Sequence, residues 1–145
     1  MYRWLIIVIG VAVLILVLSS IIIFKKLVRY FRGRDFEKLE KEEIKKKWQE
    51  IENVLEKKNK MSYKLAVMEA DKLFDHVLKK MYFPGSTLGE RLKAACYKYD
   101  KLREIWWAHK VRNQIVHEAT YDLNYKTAQG ALKTFKKGLE ELGIL

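Results

Sequence analysis

The sequence predicts an all-α protein in which one apolar helix precedes a small helical bundle. Apolar residues recur at three- and four-residue intervals in most segments after residue 35, which is the period of an α-helix. One proline and seven glycines in 145 residues are too few for a β fold with many turns. With 50% hydrophobic and 32% charged side chains, the two kinds must be segregated.

Residues 5–24 are the apolar helix, a run without a charged side chain that is about 30 Å long as an α-helix. Segment 25–34 follows with five basic residues and no acidic one. The length of the uncharged run predicts a single-pass anchor in the cell membrane over residues 1–24. The basic residues after it predict the orientation of this anchor by the positive-inside rule. We expect the N-terminus outside, the remaining chain in the cytoplasm, and Tyr30 and Phe31 at the surface of the lipid bilayer.

Residues 25–60 combine this basic juxtamembrane segment with an amphipathic connector helix. The apolar residues of the helix form a narrow stripe, namely Phe36, Leu39, Ile44, Trp48, Ile51 and Leu55. Such a stripe packs against the domain that follows or pairs with a second copy of itself, and the sequence favours the two equally.

The apolar spacing predicts an up-and-down four-helix bundle with short loops over residues 61–145. Ser62 is the expected N-cap of the first helix, and Thr87 with Glu90 forms a capping box for the second. The third helix covers about 100–118, and the fourth covers about 125–142 and ends at Gly143. The single cysteine, Cys96, excludes an intrachain disulfide and is expected in the core.

The helix over 100–118 carries polar residues on an arc that should face protein. On a helical wheel these are His109, Arg112, Asn113 and His117, whereas Trp107 and Lys110 lie on the solvated arc and Trp106 is expected in the core. One interpretation is structural, with Arg112 paired to Glu69. The other is a recessed anion site in which Arg112 binds phosphate and His117 transfers a proton. Asp71, Asp75 and His76 are interpreted as solvated surface.

The string Arg112-Asn113-Gln114-Ile115-Val116-His117 resembles the R-x4-6-H motif of the HEPN superfamily, late in a long helix of a small all-α bundle. The resemblance implies a homodimeric, metal-independent endoribonuclease with two motifs facing each other across a cleft. It implies that His117 is the general base on the ribose 2′-hydroxyl, that Arg112 neutralises the phosphorane and that Asn113 supports the geometry. The products would be a 2′,3′-cyclic phosphate and a 5′-hydroxyl.

Three further residues, His109, Lys110 and Trp107, are expected to contact the substrate, and neither a metal nor a cofactor is expected. RNA and a second copy of the chain are the predicted partners. The main alternative is a catalytically silent HEPN-like adaptor, tethered to the membrane, whose polar cluster is structural or binds a nucleotide or a protein partner. A third possibility is a toxin-like effector that is controlled by an antitoxin.

Overall fold

The computed structural model describes residues 2–31, 38–118 and 120–145, and it leaves out the side chains of residues 3, 5, 6, 11 and 24–39. The chain divides into two compact units, Met1–Asp35 and Phe36–Leu145. The described residues form helices joined by turns and short loops and contain no strand. The all-α part of the predicted fold class is therefore confirmed.

The predicted membrane anchor requires a correction. The first unit holds helix α1, Tyr2–Phe31. Nevertheless, among the described residues no helix combines the length and the apolar character that a bilayer crossing needs.

This finding contradicts the anchor over residues 1–24 and the single-pass topology with a cytoplasmic C-terminal domain. The side chains of the basic segment 25–34, including Tyr30 and Phe31, lie outside the described residues. The same holds for Phe36 and Leu39 of the connector stripe.

The described residues of the second unit form five α-helices and one short 3₁₀ helix. In chain order these are α2 (Lys38–Leu55), α3 (Lys60–Lys80), α4 (Leu88–Cys96), the 3₁₀ helix (Asp100–Glu104), α5 (Ile105–His117) and α6 (Tyr125–Glu141). Helix α3 packs against each of the other four α-helices. Its Phe74 meets Phe135 of α6 in the core, with ring centroids 5.7 Å apart.

Helix α2 is part of the bundle. Ile44, Trp48, Ile51 and Leu55 of the predicted stripe are buried, and α2 packs against α3 and α6. Of the two alternatives for the stripe, the structure shows packing on the following helices. Among the described residues, α2 thus adds a fifth α-helix to the four of residues 60–141.

The helix ends differ in detail from the prediction. Asn59 caps α3, and its side-chain oxygen accepts a hydrogen bond from the backbone N–H of Ser62, the residue that was expected to be the cap. Thr87 caps α4 as predicted. The Glu90 carboxylate, however, accepts hydrogen bonds from Ser86, which lower the pKa of Glu90, and the predicted capping box is incomplete.

Arg91 fixes α4 to α3. It is buried and makes a bidentate ion pair with Asp75, at 2.8 Å from Nε to Oδ1 and 3.0 Å from Nη2 to Oδ2. The same guanidinium donates hydrogen bonds to the backbone carbonyls of Gly85 and Ser86 in the α3–α4 loop. Asp75 is thus a structural partner, which corrects its interpretation as solvated surface.

Gly138 of α6 marks the closest packing of three helices. A Cβ atom there would lie 2.6 Å from Cδ1 of Ile105 and 2.8 Å from Cε2 of Phe74, both buried. At Gly130, on the same helix, the nearest atom is 3.1 Å away and belongs to the half-exposed indole of Trp107, which can move aside.

We therefore predict opposite effects for one substitution at these two glycines. Gly138→Ala should lower the free energy of unfolding by about 1–3 kcal/mol because overpacking outweighs the better helix propensity of alanine. Gly130→Ala should leave stability unchanged or raise it by up to about 1 kcal/mol. Urea denaturation followed by circular dichroism measures both, and an equal response of the two variants would contradict the packing described.

Candidate functional site

A buried carboxylate, Asp71 on α3, is the centre of the polar cluster on α5. Its Oδ1 lies 2.6 Å from Nδ1 of His109, and its Oδ2 lies 3.3 Å from Nε of Arg112. The Asp71 side chain is only 6% exposed. Burying a carboxylate is unfavourable unless cations or hydrogen-bond donors surround it. His109 and Arg112 of α5 are these partners for Asp71 of α3.

Two neighbouring side chains contact the guanidinium of Arg112, and the Arg112 side chain remains partly exposed. Its Nε forms the ion pair with Asp71, and its Nη1 donates a hydrogen bond to Oδ1 of Asn113 at 3.0 Å. The side chain is 34% exposed. Since a guanidinium has five N–H donors, these two contacts leave three, which a partly exposed side chain can offer to a bound anion.

His109 is oriented by the same carboxylate. Because an ionised carboxylate can only accept a hydrogen bond, Nδ1 of His109 carries the hydrogen and Nε2 is the nitrogen left for another partner. The ring is 14% exposed and meets the edge of Trp106, with centroids 6.3 Å apart. A carboxylate on Nδ1 fixes the tautomer and the orientation of an imidazole.

His117 stands apart from this cluster. It is the last residue of α5. Its side chain is exposed and forms no hydrogen bond with any described residue. Five residues after Arg112, it is turned about 140° around the helix and lies about 7.5 Å further along the axis. One chain therefore does not bring Arg112 and His117 together, although the sequence had placed both on the protein-facing arc.

The other predicted site residues lie at the surface. Lys110 and Trp107 are exposed, as the helical wheel predicted. Trp106, predicted in the core, is 41% exposed. Burial raises the pKa of the Cys96 thiol, so this cysteine is a poor nucleophile.

Asp71 is the residue that the sequence interpretation missed. It had been assigned to the solvated surface, and Glu69 was expected as the partner of Arg112. Glu69 is instead exposed and lies 4.0 Å from Lys72. The available signal was spacing, because position 71 follows Val67 by four residues and precedes Phe74 by three, as a core position does.

A groove between α2 and α3 has a volume of about 320 Å³ and is separate from this cluster. Its lining includes Ile51, Leu65 and His76 and contains neither Arg112 nor His117. Partial burial lowers the pKa of His76, and Lys47 and Lys80 lower it further. His76 thus provides a histidine outside the candidate site.

The chain matches no protein-family model, no curated protein and no solved structure. The HEPN resemblance consequently depends on the motif and its helical setting.

The cluster yields a stability prediction. Asp71→Ala should lower the free energy of unfolding by about 1–3 kcal/mol, because His109 and Arg112 lose the group that satisfies them. Glu69→Ala, on the same helix but exposed, is the matched control and should change stability by less than about 0.5 kcal/mol. Equal losses in thermal and urea unfolding would show that the Asp71 contacts contribute nothing particular.

Proposed function

We propose that the helical bundle is a metal-independent endoribonuclease that acts as a homodimer. The observation that carries this proposal is the arrangement of Arg112, which a buried carboxylate and Asn113 hold in place while its side chain stays partly exposed. An arginine fixed in this way is suited to a phosphodiester, because its orientation is determined before the anion binds.

In the proposed reaction the substrate supplies its own nucleophile. His117 removes the proton of the ribose 2′-hydroxyl, and the 2′-oxygen attacks the adjacent phosphorus. Arg112 stabilises the charge that develops on the phosphorane oxygens, and Asn113 keeps its guanidinium in position. The 5′-oxygen leaves, giving a 2′,3′-cyclic phosphate and a 5′-hydroxyl. This chemistry requires neither a protein nucleophile nor a metal ion.

Two copies of the chain are needed for these roles, because Arg112 and His117 of one copy point in different directions. The outward side of α5 exposes Trp106 and Val116, 41% and 47% accessible, and neighbouring α3 exposes Met68. A second copy on this side would cover these apolar side chains and bring its own His117 towards Arg112. Residues 61–145 carry 15 basic and 10 acidic side chains, and the resulting charge of +5 favours a polyanionic substrate.

A binding module without catalysis is the second candidate, and one observation favours it. Asp71 already satisfies Arg112 and His109, which is what a purely structural cluster would show. In that case the exposed tryptophans and Val116 would serve a nucleotide or protein partner. The two candidates differ in what the loss of His117 does, since only the nuclease depends on it.

We predict that the 145-residue chain cleaves single-stranded RNA in EDTA and leaves cyclic phosphate ends. His117→Ala should reduce the rate on the order of 100- to 10,000-fold, the usual contribution of a general base. Because His117 is exposed, the melting temperature should stay within a few degrees. His76→Ala, the same change in another exposed histidine, should keep full activity. Cleavage that is absent, or that survives His117→Ala, would favour the binding module.

We also predict that the dimer depends on the outward side of α5. Val116→Glu should give a monomer in sedimentation experiments and lose cleavage in parallel, because a carboxylate would be buried without a partner. Tyr82→Glu, a similar change at a residue that is 71% exposed in the α3–α4 loop, should leave both properties unchanged. A wild-type chain that is monomeric at every concentration would refute the shared cleft.

A further inference from the structure

We propose that His109 is the general acid of this reaction and that it acts together with His117 of the second copy. The inference rests on the proposed nuclease function and adds a catalytic residue to it. It starts from the contact between Asp71 and His109, which engages Nδ1 and leaves Nε2 as the ring nitrogen for another partner.

Three polar residues of α5 follow one another at helical spacing. His109, Asn113 and His117 are spaced four residues apart on α5, so Asn113 lies midway between the two histidines. With Trp106 and Val116, these residues fall within an arc of about 100° on the helix. His109 and His117 are therefore on the same side of α5, but about 12 Å apart along its axis, too far for one phosphodiester.

A two-fold axis would bring His109 of one copy to the level of His117 of the other. In a two-fold dimer the same surface of each copy meets at the axis. When two α5 helices cross antiparallel with the axis at Asn113, His117 of one copy lies at the level of His109 of the other. Arg112 lies about one turn from that level. Each of two identical sites would then contain Arg112 and His109 from one copy and His117 from the other.

The two histidines divide the proton transfers of the cleavage reaction. As the 2′-oxygen bonds to phosphorus and gives its proton to His117, the bond from phosphorus to the 5′-oxygen breaks. The leaving oxygen takes the proton from Nε2 of His109, whose ring is held in place by the contact between Nδ1 and Asp71. The reaction begins with His109 charged and His117 neutral, ends with the reverse, and exchange of protons with water restores both.

The leaving group provides the first test. His109→Ala should slow cleavage of ordinary RNA on the order of 100- to 10,000-fold. With a dinucleotide that carries sulfur in place of the 5′-bridging oxygen, the loss should be less than about tenfold, because a thiolate departs without being protonated. His117→Ala should fail on both substrates. Equal losses of His109→Ala on the two substrates would overturn the proposal and leave His109 a structural role.

A variant that preserves the bundle guards against a folding artefact. His109→Asn keeps an N–H donor at the position of Nδ1 for Asp71 but cannot transfer the proton, so it should melt close to the wild type and show the same substrate dependence as His109→Ala. Full activity of a folded His109→Asn protein on ordinary RNA would also overturn the proposal.

Mixed dimers provide the second test. His109→Ala and His117→Ala are each inactive alone, but a mixed dimer would hold one intact site, built from His117 of one chain and His109 of the other. Coexpression in equal amounts should therefore restore about a quarter of the wild-type rate, since half of the dimers are mixed and each has one of two sites. No recovery would refute the shared pair while leaving the nuclease function intact. A wild type without cleavage would instead refute the nuclease function itself.

Discussion

The ion pairs of Asp71 organise the polar part of this bundle. Helix α3 lies against every other α-helix of its unit, and it places this carboxylate where water hardly reaches. Helix α5 must then present His109 and Arg112 at the same level, because an unpaired buried charge would destabilise the bundle by several kcal/mol. The rotation of α5 about its axis follows from this requirement, and with it the direction in which Trp106, Asn113 and Val116 face.

The same constraint explains why His117 is at the surface. Once Arg112 is directed towards Asp71 of α3, a residue five positions later is turned by about 140° around the helix from it. A motif whose two ends point in different directions within one chain is of little use to a single phosphate. It becomes useful when a second chain supplies the missing end, and this is why the proposed activity and the dimer depend on each other.

The helices after residue 60 could be predicted from periodicity, since the buried residues of α3 and α6 follow the expected spacing. Other features depend on tertiary contacts that periodicity does not encode. Asp71 looks like a surface carboxylate until α5 is placed beside it, and Trp106 looks like a core residue although nothing covers its outer edge in one chain. The membrane anchor was inferred from hydropathy, and no described helix meets the requirements of a bilayer crossing. The resemblance to the HEPN motif predicted a site at Arg112, Asn113 and His117, and Asp71 lies outside that string.

Arg91 has a consequence for how the molecule opens. Helix α4 has nine residues, a length at which an isolated helix is hardly populated in water. Arg91 attaches the helix to Asp75 and to two loop carbonyls, so α4 stays folded only while it is packed against α3. Helix α4 and its connecting loop should accordingly come apart as one cooperative subunit in native-state hydrogen exchange, and the amides of both would share a single opening free energy.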